Sequence, residues 1–378
     1  MEVRLCDYAT ERELVDDFCR QVFGANTTQP QTADQQFPGE QSTNPYSDGP
    51  SPTAIAIHEG IVVGHVTSTP FMLWIEGKEQ LAYWLGGIHV FPEYRGMGIA
   101  RKLASCITNS LPIVTGVARV EPSIKAFKAT NWVWPGRISD YIHIVNPSAF
   151  LAQMSGERVE RFVPKLLRPA TEITLRVMKI PMCLGIKSWK SFSSVKRSIK
   201  SGENAPFGEV DKFGSDIDKL WSVESKNFIL TNVRRADYLN WQFPTSKGWK
   251  KVVLTDSRGV RAWGMYAIKT YSDGGQLDGL KSLNVIDALW DSSDPTIIGS
   301  LVDYFIARAY AEKTDIIMFS GEHPDLKRAL KRAAFLKLPS TIWAGFHSVG
   351  NEYDFERIFV GAYVTRGYAD AAGGLGPE

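Results

Sequence analysis

Cysteine and long apolar runs are both scarce in this sequence. The 378 residues include four cysteines (Cys6, Cys19, Cys106 and Cys183), none in a CxxC pair, so we expect reduced thiols rather than a disulfide framework or a zinc site. No apolar run reaches the roughly 18 residues that a membrane span needs. The first twenty residues carry acidic side chains and lack the apolar core typical of a signal peptide, which predicts a cytoplasmic protein. The scattered cysteines give no reason to expect a bound metal.

An excess of charge is also lacking, because 43 Lys and Arg residues balance 41 Asp and Glu residues. Nothing in this balance favours a nucleic-acid partner. Hydrophobic residues make up 44% of the chain, which is ample material for a core, and the length suggests two domains. We predict domains over residues 1–150 and 205–370, joined by a basic linker over 151–204 and followed by a flexible tail over 371–378.

The first domain is predicted to be an α+β fold with a mixed sheet. Residues 3–8 suit a strand and 11–23 an amphipathic helix, and residues 53–90 alternate strands with Gly-containing turns as an antiparallel meander does. The order then continues with a helix from Ile99, a buried strand over 112–120, a helix over 121–133 and a last strand over 139–145.

Two segments stand apart in composition. Residues 24–52 are rich in Gln, Thr, Asn, Pro and Gly, as a functional or disordered loop would be. Residues 158–200 hold eleven Lys and Arg against two acids, with apolar residues between them. This basic stretch is either an inter-domain linker with a solvated face or a weak contact site for an anionic membrane.

The second half repeats the element order of the first at an offset of about 200 residues. A strand over 282–290, a helix over 295–313, a strand over 314–321 and a helix over 323–336 follow one another as in the first half. We therefore predict a tandem duplication, in which each copy has a mostly antiparallel sheet flanked by helices.

The most informative stretch is VFPEYRGMGIARKLA, residues 90–104, where a glycine turn joins a strand to a helix. Such a turn binds phosphate well, because the first helical N–H groups are free and the helix dipole favours an anion there. A Walker A loop is excluded because no Gly-Lys-Ser/Thr follows. A dinucleotide fingerprint is excluded because the third glycine is missing.

Residues Arg95 to Ala100 match the Q/R-x-x-G-x-G/A signature of the GNAT superfamily of acyl-CoA N-acyltransferases, and residues 3–148 resemble that family in element order. The resemblance implies acetyl-CoA or another acyl-CoA as co-substrate, with transfer to a primary amine by direct attack. The implied pyrophosphate ligands are Arg95, Gly96, Met97, Gly98, Ile99 and Ala100. The implied pantetheine partners are the backbone groups of Ile88, His89 and Val90.

The catalytic pattern of the family is incomplete here. Its usual general acid is a tyrosine in the helix after the fifth strand, and this position holds Phe127, which has no proton to donate. His89, Tyr83 and Glu121 are the candidates for acid–base roles. His89 could instead be a structural histidine, and Glu121 a helix cap.

The second copy lacks a glycine loop, and its equivalent span includes Asp291 and Asp294, so we expect it not to bind CoA. RRADYLNWQF resembles a stretch of GNAT-like proteins from bacterial surface-polysaccharide enzymes. That resemblance implies an acceptor site for an amino sugar or nucleotide-linked sugar, with five contributing residues: Arg234, Arg235, Tyr238, Asn240 and Trp241. Core anchoring of these side chains, a different small amine or peptide as acceptor, and a non-catalytic acyl-CoA-binding protein remain alternatives.

Overall fold

The computed structural model describes residues 1–23, 44–47, 51–118, 121–153, 207–272, 277–340 and 342–365. Most of the 24–52 loop, the basic stretch 158–200 and the tail 371–378 lie outside these residues, so the expectations attached to them stay predictions. Two compact units divide the chain. The first unit contains residues 1–138, 212–247 and 340–371, and the second contains 139–211, 248–339 and 372–378.

The helices and strands alternate along the chain much as the sequence predicts. The N-terminal half contains β1 (Glu2–Leu5), α1 (Tyr8–Phe23), β2 (Thr53–His58), β3 (Ile61–Ile75), β4 (Lys78–Leu85), β5 (His89–Val90), α2 (Ile99–Ser110), β6 (Ile113–Ala118), α3 (Glu121–Lys128), β7 (Val133–Arg137), β8 (Asp140–Ile144) and α4 (Pro147–Gln153). The C-terminal half contains β9 (Phe207–Val210), α5 (Asp216–Glu224), β10 (Leu230–Asn232), α6 (Ala236–Gln242), β11 (Lys250–Asp256), β12 (Gly259–Thr270), β13 (Lys281–Trp290), α7 (Ile297–Ala311), β14 (Ile316–Ser320), α8 (Pro324–Arg332), β15 (Leu336–Lys337), β16 (Trp343–Ser348) and α9 (Phe355–Ile358).

The first unit is built on one sheet whose strand order is β1-β2-β3-β4-β6-β16-β7, with β5 and β10 also paired to β3. The meander predicted over 53–90 is present, and its two turns place Gly60 and Gly77 at φ of 82° and 86°. These left-handed angles suit glycine and match the twist of tight hairpins. Among the described pairs of this sheet, β4 with β6 is the parallel one.

The second unit is built on a sheet of order β15-β8-β14-β13-β12-β11-β9. Its hairpin of β11 and β12 turns between Asp256 and Gly259, as the sequence predicts. Strands β13 and β14 are parallel and are connected by α7. With the first sheet, this confirms the predicted α+β class of two mostly antiparallel sheets flanked by helices.

Three strands lie in the sheet that is built mainly from the other half of the sequence, and β10, which pairs with β3, is one of them. Strand β8, which we expected to close the first sheet, pairs with β14 and β15 in the second. Strand β16, from the C-terminal half, lies between β6 and β7 in the first. The compact units therefore differ from the contiguous domains expected over 1–150 and 205–370. A buried strand can pair with a strand that is distant in the sequence, so sequence order alone does not fix the sheet to which it belongs.

The two faces of the first sheet have different coverings. Leu103 and Ile107 of α2 and Phe127 of α3 pack in one core cluster on one face. Val15 and Phe18 of α1 form a separate cluster with residues of β2 and β3. Within the described part of the chain, no helix is both long and apolar enough to cross a membrane.

Candidate functional site

The glycine loop of the first unit connects β5 to α2 and is open to solvent. Gly96 and Gly98 have φ of 85° and 76°, angles that disfavour any residue with a side chain. A Cβ atom built at either position would meet no heavy atom within 4 Å. Both glycines therefore serve the backbone conformation, and the space above them is free for a ligand.

Helix α2 begins at Ile99 without a side-chain cap. Its first N–H groups and its dipole are directed at the open space above the loop, which favours an anion there. The Arg95 guanidinium is exposed, and its Nε donates to the Val90 carbonyl at 3.2 Å, which ties the loop back to β5. The loop thus combines a cation with an unsatisfied helix start.

A bulge separates β4 from β5 along their common partner β3. Leu85 lies opposite Ser68, whereas His89 lies opposite His65, so residues 86–88 face only the two residues 66–67. One extra residue on this side is the signature of a β-bulge, which commonly redirects side chains near active sites.

Strands β4 and β6 separate just where the bulge begins. Their parallel pairing consists of Tyr83 with Val114 and Trp84 with Thr115. Beyond these pairs, β6 continues to Ala118, whereas β4 ends and is followed by the bulge. Among the described strand pairs, residues 89–90 pair with β3. A strand edge at a break in a sheet can pair with an extended ligand.

His89 is half-buried on β5, beside the bulge. Burial disfavours its charged form and the Arg95 charge opposes protonation, so the pKa of His89 is lowered from its ordinary value of 6.5. The imidazole is therefore neutral near pH 7. A neutral imidazole can accept a proton, which is the property that a general base needs.

Tyr83 and Glu121, the other two acid–base candidates, differ in their surroundings. Tyr83 is half-buried against the cluster that contains Phe127, and burial raises the pKa of its phenol. Glu121 begins α3, is exposed, and pairs with Lys125 at 3.0 Å. Their acid–base roles stay predictions.

Phe127 is a core residue, as its chemistry suggests. Its side chain is buried, and its ring centroid lies 4.6 Å from that of Trp132. The position at which the GNAT superfamily usually has its general-acid tyrosine is thus occupied by a side chain that packs in the apolar core.

Two of the expected acceptor residues are arginines with opposite exposures. Arg234 is fully buried, lies over the Tyr363 ring at 4.5 Å, and donates to Thr231 and to the Asn232 carbonyl. Arg235 is exposed, and its Nη2 contacts both carboxylate oxygens of Glu79 at 2.7 and 2.9 Å. Only the second guanidinium is at the surface.

The other three acceptor candidates support the fold. Tyr238 is buried in the core with Trp241 packed beside it, at a centroid distance of 5.4 Å. The Asn240 carboxamide accepts from the Phe213 N–H and donates to the Phe213 carbonyl, both at 2.9 Å. Both ends of this side chain are therefore used within the fold, and an acceptor role for these residues stays a prediction.

Two residues near the bulge were missed by the sequence reasoning. His65 is fully buried on β3 opposite His89, and Gly87 lies inside the bulge. The pair Gly86-Gly87 directly after a strand is a signal that could have indicated the bulge. A single histidine within an apolar strand gives no comparable signal.

The start of α7 in the second unit, which the sequence predicts to be the counterpart of α2, is built differently. The Asp294 carboxylate accepts from the Thr296 N–H at 3.0 Å and from its hydroxyl at 2.6 Å. Asp291 accepts from the buried Arg261 guanidinium at 2.8 Å. An internal carboxylate thus lies at this helix start, where the first unit has an open loop.

The comparisons with known proteins agree with this geometry. Residues 8–111 match the family model described as an acetyltransferase (GNAT) domain. A search of curated proteins finds no match. Solved structures give fold likenesses at low identity, and the three examples described next each cover more than nine-tenths of this chain.

A GCN5-related N-acetyltransferase from Anabaena variabilis is 13% identical, with a TM-score of 0.56 over 92% of this chain and 73% of that one. N-myristoyltransferase of Saccharomyces cerevisiae with bound myristoyl-CoA is 12% identical, with a TM-score of 0.54 over 95% and 89%. A probable N-acyltransferase from Enterococcus faecalis is 11% identical, with a TM-score of 0.53 over 92% and 72%.

At these identities the solved structures show the fold alone, and the family match covers the N-terminal part of the chain. That match includes the glycine loop and all of α2. Residues 8–111 match a GNAT acetyltransferase domain, and this match supports an acyltransferase.

Proposed function

We propose that the first unit transfers an acyl group from acyl-CoA to a primary amine. The observation that carries this proposal is the open loop of Gly96 and Gly98 at the uncapped start of α2. Backbone N–H groups of residues 95–100 would cradle the CoA pyrophosphate, with Arg95 adding a positive charge. The adjacent strand edge of Ile88, His89 and Val90 would pair with the pantetheine arm.

A single cofactor site per chain follows from the contrast between the two helix starts. At α7 the Asp294 carboxylate already takes a backbone N–H. A phosphate approaching that start would meet a like charge, which disfavours binding. The first unit is thus the proposed acyl-CoA site, and the second copy of the proposed duplication has lost it.

The proposed reaction is direct attack of the neutral amine on the thioester carbonyl. A C–N bond forms, the C–S bond breaks, and the amine proton passes to His89 directly or through a water molecule. The departing thiolate needs a proton, which Phe127 cannot provide. Tyr83 is the better remaining donor, because its raised pKa keeps the phenol protonated near neutral pH. Glu121 is exposed and paired to Lys125, so it ranks last.

The leading acceptor class is an amino sugar or nucleotide-linked sugar, as the 234–243 stretch implies. Arg235 is the member of that set whose charge is at the surface, so it is the proposed contact for an acceptor phosphate or carboxylate. A second candidate is transfer of a longer acyl chain to another small amine. The likeness to N-myristoyltransferase with bound myristoyl-CoA favours it.

Release of free CoA thiol tests the proposal. The full chain is incubated with acetyl-, octanoyl- or myristoyl-CoA and with amino sugars, nucleotide-linked amino sugars, amino acids or simple amines. Thiol release that depends on one amine, with a matching N-acyl product by mass spectrometry, supports acyl transfer and names the acceptor. Tight CoA binding without turnover on any amine would instead favour the non-catalytic alternative.

A further inference from the structure

We infer that Gly87 and His65 are positioning residues, which hold the His89 imidazole over the β-bulge, next to the strand edge that is proposed to pair with the pantetheine arm. The inference rests on the proposed function, in which His89 takes the amine proton. Nothing in the loop signature or in the family match assigns a role to either residue.

Gly87 makes room for the imidazole. A Cβ atom at this position would be 2.6 Å from His89 Nε2 and 3.3 Å from its Cε1. Contacts below 3.0 Å require something to move. Gly87 is not among the glycines with positive φ, so its backbone angles do not demand glycine. The missing side chain is explained by the close approach of His89 Nε2.

His65 lies beside the same imidazole on the neighbouring strand. The two residues are directly opposite in the β3–β5 register, and their ring centroids are 5.6 Å apart. His65 is itself fixed from the other side, because its ring lies 5.0 Å from that of Phe18 and its Nε2 is 3.5 Å from Cys19 Sγ. The His89 ring therefore rests against a fully buried, well-packed neighbour.

The geometry also fixes which face of the sheet carries the base. Gly64 and Val90 face α2, since a Cβ at Gly64 would touch Leu103 and the Val90 side chain at 3.2 Å. Alternation along a strand places His65 and His89 on the opposite face, where Phe18 of α1 packs. The amine would accordingly approach from the α1 face. Arg95 and His65 are titratable groups that act on or contact His89, and Cys19 in turn contacts His65.

A double-mutant cycle tests the inference on the full chain. Gly87→Ala alone is expected to lower kcat tenfold to a hundredfold, since displacing a reacting group by about 1 Å costs that much. CoA affinity should stay unchanged, because the loop is untouched. In the His89→Ala background there is no ring to displace, so Gly87→Ala should cause no further loss of kcat.

Gly214→Ala is the matched control, because a Cβ at Gly214 meets nothing within 4 Å. If Gly87→Ala lowers thermal stability, His65→Gln provides an independent arm, with kcat again expected to fall at constant CoA affinity. An equal loss from Gly87→Ala in both backgrounds, or full activity of His89→Ala, would overturn the inference. Absence of acyl transfer in the unmodified chain would instead contradict the proposed function.

Discussion

The Asp294 carboxylate accepts hydrogen bonds from both the N–H and the hydroxyl of Thr296, at 3.0 and 2.6 Å. This bond places an internal anion at the start of α7. The corresponding start of α2 has Gly98 as its N-cap and no side-chain cap. Neither of these two helices has a side-chain cap, but a carboxylate lies beside the N-cap residue of α7, whereas the N-cap residue of α2 is a glycine.

Placing a carboxylate at the α2 start should abolish the proposed cofactor site. Asp and Asn both tolerate the left-handed angles of Gly98, so Gly98→Asp and Gly98→Asn differ essentially by one charge. We expect Gly98→Asp to weaken CoA binding by about tenfold relative to Gly98→Asn, through repulsion of the pyrophosphate at the helix start. Calorimetric titration with CoA gives both affinities, and equal values would contradict the loop assignment.

The loop could be predicted from sequence because its requirements are local. Gly96 and Gly98 can be recognised directly in the sequence, between a predicted strand and a predicted helix, and their left-handed angles follow from the turn. The exchange of β8 and β16 could not be predicted in this way. Both strands are largely buried, so either sheet satisfies their apolar pattern, and long-range pairing decides the partner.

The site residues also differ in whether local sequence or long-range contacts decide their roles. Phe127 could be judged from its chemistry alone, since it has no proton to give. Arg234 and Asn240 are residue types that suit a ligand site. In the fold, however, Arg234 contacts Tyr363, which is distant in the sequence, and Asn240 bonds to the backbone of Phe213, which no sequence pattern reveals. Sequence shows which groups a residue carries and not whether the fold already uses them.

The strand exchange predicts how fragments behave. A fragment of residues 1–150 lacks β16, so β6 and β7 lose the strand that pairs with both. We expect this fragment to show no cooperative unfolding and to give poorly dispersed proton NMR spectra, because β6 and β7 of the first sheet are left with unpaired edges. Adding a chain of residues 151–378 should restore both properties. A cooperatively folded 1–150 fragment would contradict the prediction.

His89→Gln should lower kcat/KM by about a hundredfold or more if His89 is the base. The pKa of His89 is lowered, so the imidazole is deprotonated at pH 7 and the wild-type rate should fall only below pH 6.5. The variant should lose that acidic limb while CoA affinity is kept. Steady-state rates between pH 5 and 8, as a function of amine concentration, measure both effects. An unchanged limb would assign it to another group.

Asn240→Ala and Arg235→Ala separate a structural role from acceptor binding. Asn240 uses both ends of its carboxamide on Phe213, so we expect its loss to lower the free energy of unfolding by about 1–3 kcal/mol and to leave the amine KM unchanged. Arg235 forms an exposed ion pair with Glu79, so its loss should change stability by less than about 1 kcal/mol. If it contacts the acceptor, the amine KM should rise. Denaturant titration and steady-state kinetics on both variants distinguish these outcomes.

His65 should make the stability of the first unit depend on pH. Burial, with a smaller contribution from His89, lowers the pKa of His65 from 6.5 to about 3. Between these values the unfolded chain binds a proton that the folded chain does not, so stability falls as the pH decreases through this window, by up to about 1.4 kcal/mol per pH unit. His65→Gln removes this contribution and leaves other titrating groups in place. The difference in unfolding free energy between wild type and variant should therefore shift by about 1.6 kcal/mol from pH 6.5 to pH 5, in the direction that favours the variant at the lower pH. Urea titrations at the two pH values measure the shift, and a constant difference would mean that His65 is not held neutral by the fold.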